Sequence, residues 1–209
     1  MTDRTAIDDR QIVDRRRKRH DAKRATIVAE AWELARRDGL AAISLRQLAD
    51  RVDLRQPSLY AYFDSKLALY DAMFADGNRQ LLEVIAQIPP GADPRASLVA
   101  FLETALRFST EDVVRHQLLF QRTIPGFEPS AESYALAGEV LAAGRRRLEA
   151  VGVTDPEEVD LFTALTSGLA HQQVANDPGG DRWVRQARRA IEMFLADVDR
   201  RARRGRAQQ

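Results

Sequence analysis

From Ala22 to Arg37 the apolar residues recur at helical spacing. Ile27, Ala31, Leu34 and Ala35 share one face, and Asp38-Gly39 supplies a helix stop. Ser44 opens a second, short helix, with Gln47 three residues on to complete a capping box. Leu45, Leu48, Ala49 and Val52 then follow the i, i+3, i+4, i+7 pattern. After Asp53-Leu54-Arg55 the spacing predicts a third helix over 56–63, with Pro57 in its first turn and Leu59 and Phe63 as its apolar pair. Asp64 or Ser65 can cap a fourth, longer helix running to about Ile88, which Pro89-Pro90-Gly91 ends. Further helices are expected over about 95–109, 111–122, 131–151, 155–176 and 182–203. No stretch alternates with the period of two that marks a strand. The pattern predicts an all-α chain of about nine helices, short ones first and a longer-helix bundle after. Residues 1–14 read as disordered.

Three short helices behind a basic arm suggest a helix-turn-helix, in which one helix crosses the phosphate backbone and the next enters the major groove. The expected organisation is a disordered basic arm over 1–21, a helix-turn-helix domain over 22–70, a helical ligand-binding and dimerisation domain over 71–203, and a tail over 204–209. The tight link at 53–55 needs an unusual backbone, and Asp53 is among the non-glycine residues that tolerate the left-handed region.

Charge sharpens this division. The 209 residues carry 32 Lys and Arg against 31 Asp and Glu, a net +1. Residues 1–70 hold 15 basic against 11 acidic residues, +4, and residues 71–209 hold 17 against 20, −3. Arg15, Arg16, Arg17, Lys18 and Arg19 lead directly into the first helix, where an arm can follow the backbone or enter the minor groove. Ser44 and Arg46 start the second helix. Arg55, Gln56, Pro57, Ser58, Tyr60 and Tyr62 lie along the third. Arg and Gln can read bases bidentately, and Ser and Tyr hydroxyls suit phosphate. Of the two tyrosines, Tyr60 is the one that could instead pack against the first helix.

Ser44-Leu45-Arg46-Gln47-Leu48-Ala49 followed by Pro57-Ser58-Leu59-Tyr60-Ala61-Tyr62-Phe63-Asp64-Ser65-Lys66-Leu67-Ala68-Leu69 resembles the DNA-binding domain of the tetracycline-repressor (TetR) family. The resemblance covers about 50 residues, Ala25 to Phe74. It implies a dimeric, all-helical transcription regulator, usually a repressor released by a ligand. It also implies that Lys66 contacts backbone phosphate at the start of the fourth helix, and that Tyr62 and the first residues of the third helix meet the operator. The chain departs from the family pattern twice. Asp53 stands where Gly is usual. Arg55 stands where Ser or Thr is usual, which removes a helix cap and sets a cation at the positive helix end. Arg55 is tolerated there if it reaches DNA.

The rest of the chain is less explicit. Phe101, Phe108, Phe120, Phe127, Tyr134 and Phe162 are candidates for an apolar effector pocket, with His116 as a polar group, and plain core packing is the alternative for each. Leu165 to Trp183 is similar to the end of the ligand domain in a subset of the family, which implies a dimer interface built from the last two helices. Ala164, Gly168, His171 and Ala175 form a small-residue stripe; Ala187, Ala190, Ile191, Phe194 and Val198 form a second, and either could face the protomer's own core.

Composition excludes other classes. With no cysteine, disulfide scaffolds, thiolate metal sites and thiol redox sensing are ruled out. No membrane span or signal peptide is seen, and a cytoplasmic protein is expected. No metal or cofactor is expected. An all-helical enzyme has little support: His20, His116 and His171 are scattered, and no activated-nucleophile motif occurs. A non-specific nucleic-acid binder using both Arg-rich termini is the other alternative. The leading expectation is a homodimer on a pseudo-palindromic double-stranded DNA operator, released by a small, largely apolar effector.

Overall fold

The computed structural model describes the backbone of residues 3–89 and 93–207 and the side chains of 14–89 and 93–204. Among these residues it is all-helical: α1 (Asp3–Asp38), α2 (Leu45–Arg51), α3 (Gln56–Leu59), α4 (Lys66–Ala86), α5 (Pro94–Glu111), α6 (Val113–Phe120), α7 (Ala131–Ala150), α8 (Pro156–Asn176) and α9 (Ala187–Ala207), the last preceded by a 3₁₀ turn at Val184–Gln186. None is long and apolar enough to cross a membrane.

Local chemistry accounts for most boundaries. Gly39, at φ +87°, terminates α1 and donates its N–H to Ala35 O at 2.8 Å. Side chains of Ser65, Asp93, Asp112, Ser130 and Asp155 accept backbone N–H bonds as caps of α4 to α8. Of the expected Ser44 capping box, the forward bond is present: Ser44 Oγ accepts from Gln47 N at 3.4 Å. The 3₁₀ turn is capped from a distance. Buried Gln173 of α8 accepts N–H bonds from Trp183 at 2.8 Å and Val184 at 3.3 Å.

Three expectations change. The arm expected to be disordered is helical from Asp3 onward, continuous with α1. Nothing between residues 3 and 38 interrupts a helix, since neither Pro nor Gly occurs there. Exposed i, i+4 pairs, Lys18–Asp14 at 3.1 Å and Arg17–Asp21 at 4.0 Å, add local support. The tail expected from residue 204 is helical through Ala207, because Arg- and Ala-rich sequence prolongs α9. The third helix is shorter than 56–63: after Leu59 the chain tightens into i→i+3 bonds, with Ala61 N to Ser58 O at 3.3 Å and Tyr62 N to Leu59 O at 2.9 Å. Pro90, Gly91 and the last two residues lie outside the described part.

The N-terminal unit, the head, packs the stripe of α1 (Ile27, Ala31, Leu34, Ala35) onto Leu48 and Ala49 of α2 and its C-cap Val52, and onto Leu59, Phe63, Leu69, Tyr70 and Met73. The same core takes in Leu118 of α6 and partly buried Ile124 and Phe127. The body has two further clusters. One joins Leu81 and Ile85 of α4 with Phe101 and Phe108 of α5 and Ala143 of α7. The other joins α5, α8 and α9 around Leu98, Leu102, Phe162, Ile191 and Phe194. The division placed at residue 70 therefore falls inside α4, whose first turns belong to the head and whose later turns belong to the body.

Candidate nucleic-acid interface

The turn between α2 and α3 is set by Asp53, the one non-glycine residue with positive φ (54°) among the described residues. This is the conformation that the sequence assigned to that position. Leu54 N closes the turn onto Ala49 O at 2.9 Å. Arg55 occupies the N-cap position of α3, and its side chain makes no capping bond. Arg55, Gln56, Pro57, Ser58 and Tyr60 are all exposed, so the leading edge of α3 is a row of uncovered side chains beside exposed Arg46.

Helix α1 braces this unit. Lys23 Nζ donates to Val52 O, the C-cap residue of α2, at 2.5 Å. His20 stacks on Tyr62 with ring centroids 4.7 Å apart, and the Arg24 guanidinium lies 4.9 Å from the Phe63 ring centre. Tyr62 is thus the tyrosine that packs against α1, and Tyr60 is the exposed one, 44% accessible. Tyr62 follows Leu59 by three residues and shares its core-side flank.

The five basic candidates of the arm separate by face. At about 100° per residue, Arg15, Arg19 and Arg16 fall on the arc of α1 that also carries Lys23, the residue reaching the α2–α3 turn. All three are exposed and make no ion pair among the described residues. Arg17 and Lys18 lie outside that arc and pair with Asp21 and Asp14. Three of the five cations are thus unpaired among the described residues, and two are held in i, i+4 pairs.

Lys66 has a further contact. Its Nζ donates to Ala41 O at 2.7 Å and sits 5.7 Å from the Tyr70 ring centre. Burial holds its ammonium below the ordinary lysine value. Tyr70 donates to Leu40 O at 2.5 Å, so the loop before α2 is pinned twice from α4. Burial pushes the Tyr70 phenol up. Lys23, His20 and Tyr70 were not singled out from sequence. The one available signal was spacing: Lys23 stands four residues before Ile27, on the core-facing side.

Residues 27–73 match the profile of the bacterial regulatory proteins of the tetR family. This segment is similar to the tetR-family domain. The class G tetracycline repressor protein of Vibrio anguillarum is 38% identical over 50 residues, a match that spans 24% of each chain. Over nearly the whole chain the fold is similar to that of a tetR-family transcriptional regulator from Streptomyces coelicolor (20% identity, 85% of this chain and 82% of that one, TM-score 0.67). It is also similar to a TetR-family transcriptional regulator from Bordetella parapertussis (23%, 82% and 93%, 0.60) and one of the TetR/AcrR family from Thermobifida fusca (25%, 83% and 97%, 0.60). These likenesses concern the fold.

The body residues fare differently. The seven pocket candidates do not converge. Phe101 and Phe108 fill the α4–α5–α7 core, covered by the guanidinium groups of Arg147 at 4.9 Å and Arg115 at 3.6 Å. Phe127 belongs to the head, edge-on to Tyr70 and Phe74. Phe162 packs on Phe194 in the α5–α8–α9 core. Tyr134 is 60% exposed on α7. His116 and Phe120 stay together, rings 5.5 Å apart. Burial, reinforced by nearby His171, holds the His116 imidazole below its ordinary value, and its Nδ1 has no partner among the described residues. A separate groove of about 430 Å³ opens at the head–body joint, lined by Arg36, Glu111, Asp112, Val113, Val114 and Arg115.

Of the two stripes, that on α8 is exposed at Ala164, Gly168, His171 and Ala175, and Leu161 and Leu165 extend it. A Cβ added at Gly168 would meet nothing. The α9 stripe is a correction. Ala187, Ile191 and Phe194 are buried, and Ala190 and Val198 half-buried, because this face packs on the protomer's own α5 and α8. The exposed large apolar side chain of α9 among the described residues is Met193.

Proposed function

We propose that the chain is a homodimeric, sequence-specific transcriptional regulator that represses from a pseudo-palindromic operator and is released by a small effector. The observation that carries this reading is the uncovered edge of α3, Arg55 to Ser58 and Tyr60, flanked by Arg15, Arg16 and Arg19 on one arc of α1. A row of base-reading side chains beside phosphate-seeking cations is what major-groove recognition requires. Lys66 and Ser44 retain unused hydrogen-bonding capacity for the backbone on the same unit.

The exposed α8 face, apolar and small, supports dimerisation through a two-fold contact. The buried His116, whose Nδ1 has no partner among the described residues, supports a polar contact for an effector in the body. Acting on operator DNA places the protein in the cytoplasm. No enzymatic step is assigned to it. Electrophoretic shift on the gene's own upstream region, with light scattering of the free protein, tests the reading. A discrete complex that survives excess random DNA, formed by a two-chain species, is expected. A monomer, or equal affinity for random DNA, refutes it and returns the non-specific binder.

A further inference from the structure

We infer that Arg55 is a specificity-determining residue that reads a guanine in each half-site. The inference rests on the proposed operator binding. A cap residue without a capping side chain leaves backbone donors of α3 unsatisfied by the protein, and a guanidinium adds charge at the wrong end of the helix. Within the chain nothing compensates. The Arg55 side chain makes no hydrogen bond, ion pair or aromatic contact among the described residues, and it is exposed. Two residues earlier Asp53 holds a left-handed backbone at φ 54°, a second local penalty in the same turn. Penalties concentrated in three residues of a recognition unit point to a return from outside the chain.

The chemistry of that return is narrow. Phosphate is already served by the cations on α1, by Ser44 and by Lys66. Arg55 instead stands at the head of α3, next to Gln56, where side chains reach base edges. There the five fixed donors of a guanidinium match the O6 and N7 acceptors of guanine bidentately. Discrimination against another base at that position is then roughly 5- to 150-fold per half-site.

The test is selection from a randomised duplex library with the wild type, Arg55→Ser and Arg55→Lys, followed by binding to the selected duplex with 7-deazaguanine, which lacks N7, at the position in question. The wild type is expected to select a palindrome with one strongly preferred guanine per half-site. Arg55→Ser should select the same palindrome with that position relaxed and the others unchanged, and should be indifferent to 7-deazaguanine, which weakens the wild type. Arg55→Lys should keep a reduced preference. By restoring a cap, Arg55→Ser should also raise the melting midpoint by about 2–4 °C, showing that lost discrimination is not lost folding. If Arg55→Ser keeps every base preference, whether or not affinity falls, the inference is overturned and operator binding stands. If the wild type selects no palindrome, the operator reading itself fails, and the inference with it.

Discussion

Replacing Arg15, Arg16 and Arg19 together by Ala should flatten the salt dependence of operator binding far more than replacing Arg17 and Lys18. The structure distinguishes the two groups. The three lie within an arc of about 100° on α1, the arc that also carries Lys23, which meets Val52 O, and they have no ion pair among the described residues. The two lie outside that arc, and their charges are paired with Asp21 and Asp14. Each phosphate contact adds about 0.9 to the slope of log affinity against log salt. Three contacts correspond to about 2.7 per protomer and about 5.4 for a dimer, which is roughly a thousandfold in affinity between about 50 and about 200 mM salt. The assay is fluorescence anisotropy on a short operator duplex across a salt series. All five residues are exposed, so melting midpoints should stay within error of the wild type. A slope change below about 0.9 for the triple variant, or an equal change for Arg17→Ala/Lys18→Ala, refutes the assignment of the DNA-facing side.

Three further outcomes follow from the geometry. Asp53→Gly removes the left-handed strain at φ 54° and should stabilise the fold by about 1 kcal/mol, seen as a rise of about 2–4 °C in the thermal midpoint; a fall would show that the Asp53 side chain does more than tolerate the turn. Leu165→Glu and Gly168→Glu place charge on the exposed α8 face and should give folded monomers by light scattering, whereas Ile191→Ala, at a site 1% exposed, should lose about 2–5 kcal/mol of stability instead; dimers from both Glu variants would remove α8 from the interface. His116 is held below its ordinary value by burial and by His171, so the unfolded chain takes up its proton first as pH falls. Stability should accordingly decline below about pH 6.5, with a slope of at most about 1.4 kcal/mol per pH unit for this one group; His116→Leu should shed that part of the slope in denaturant titrations at several pH values, and an unchanged slope would assign the effect elsewhere.

The head was legible because its determinants are local. Caps, a turn residue with a left-handed preference and a four-residue apolar spacing are all written within a few positions of where they act, and Ser65, Asp53 and the Ile27–Ala35 stripe sit as read. The arm misled because charge density alone suggests a solvated coil. What decides its state is the absence of any breaker and the placement of Asp14 and Asp21 four residues from Lys18 and Arg17. In the body, a buried aromatic has the same sequence signature whether it fills a core or lines a chamber. Phe101, Phe127 and Phe162 looked equivalent and went to three different clusters. Periodicity likewise shows that α9 has an apolar face but not what meets it.

The joint between head and body follows the same distinction between local and distant determinants. No linker separates the two units, because α4 contributes to both cores. Three polar ties, all between residues at least 44 positions apart, fix their relation: Trp32 Nε1 to Asp76 at 2.9 Å, Arg36 Nε to Asp112 at 2.8 Å, and Asp71 to the N–H and hydroxyl of Ser130 at 2.7 and 2.9 Å. Asp112 and Ser130 are also the caps of α6 and α7. The same carboxylate that starts α6 therefore holds α1, and the hydroxyl that starts α7 holds α4. A displacement of either body helix along its axis must break a cap or carry the head with it. Breaking a cap costs about 1 kcal/mol, and the buried apolar contacts of Leu118 with the head core add to it. The less costly motion is the concerted one, in which the edge of α3 moves with the body. On the proposed reading, an effector that shifts α6 or α7 would change the placement of Arg55 and Gln56 by rigid coupling, and its differential affinity for the two placements would set how far DNA binding falls.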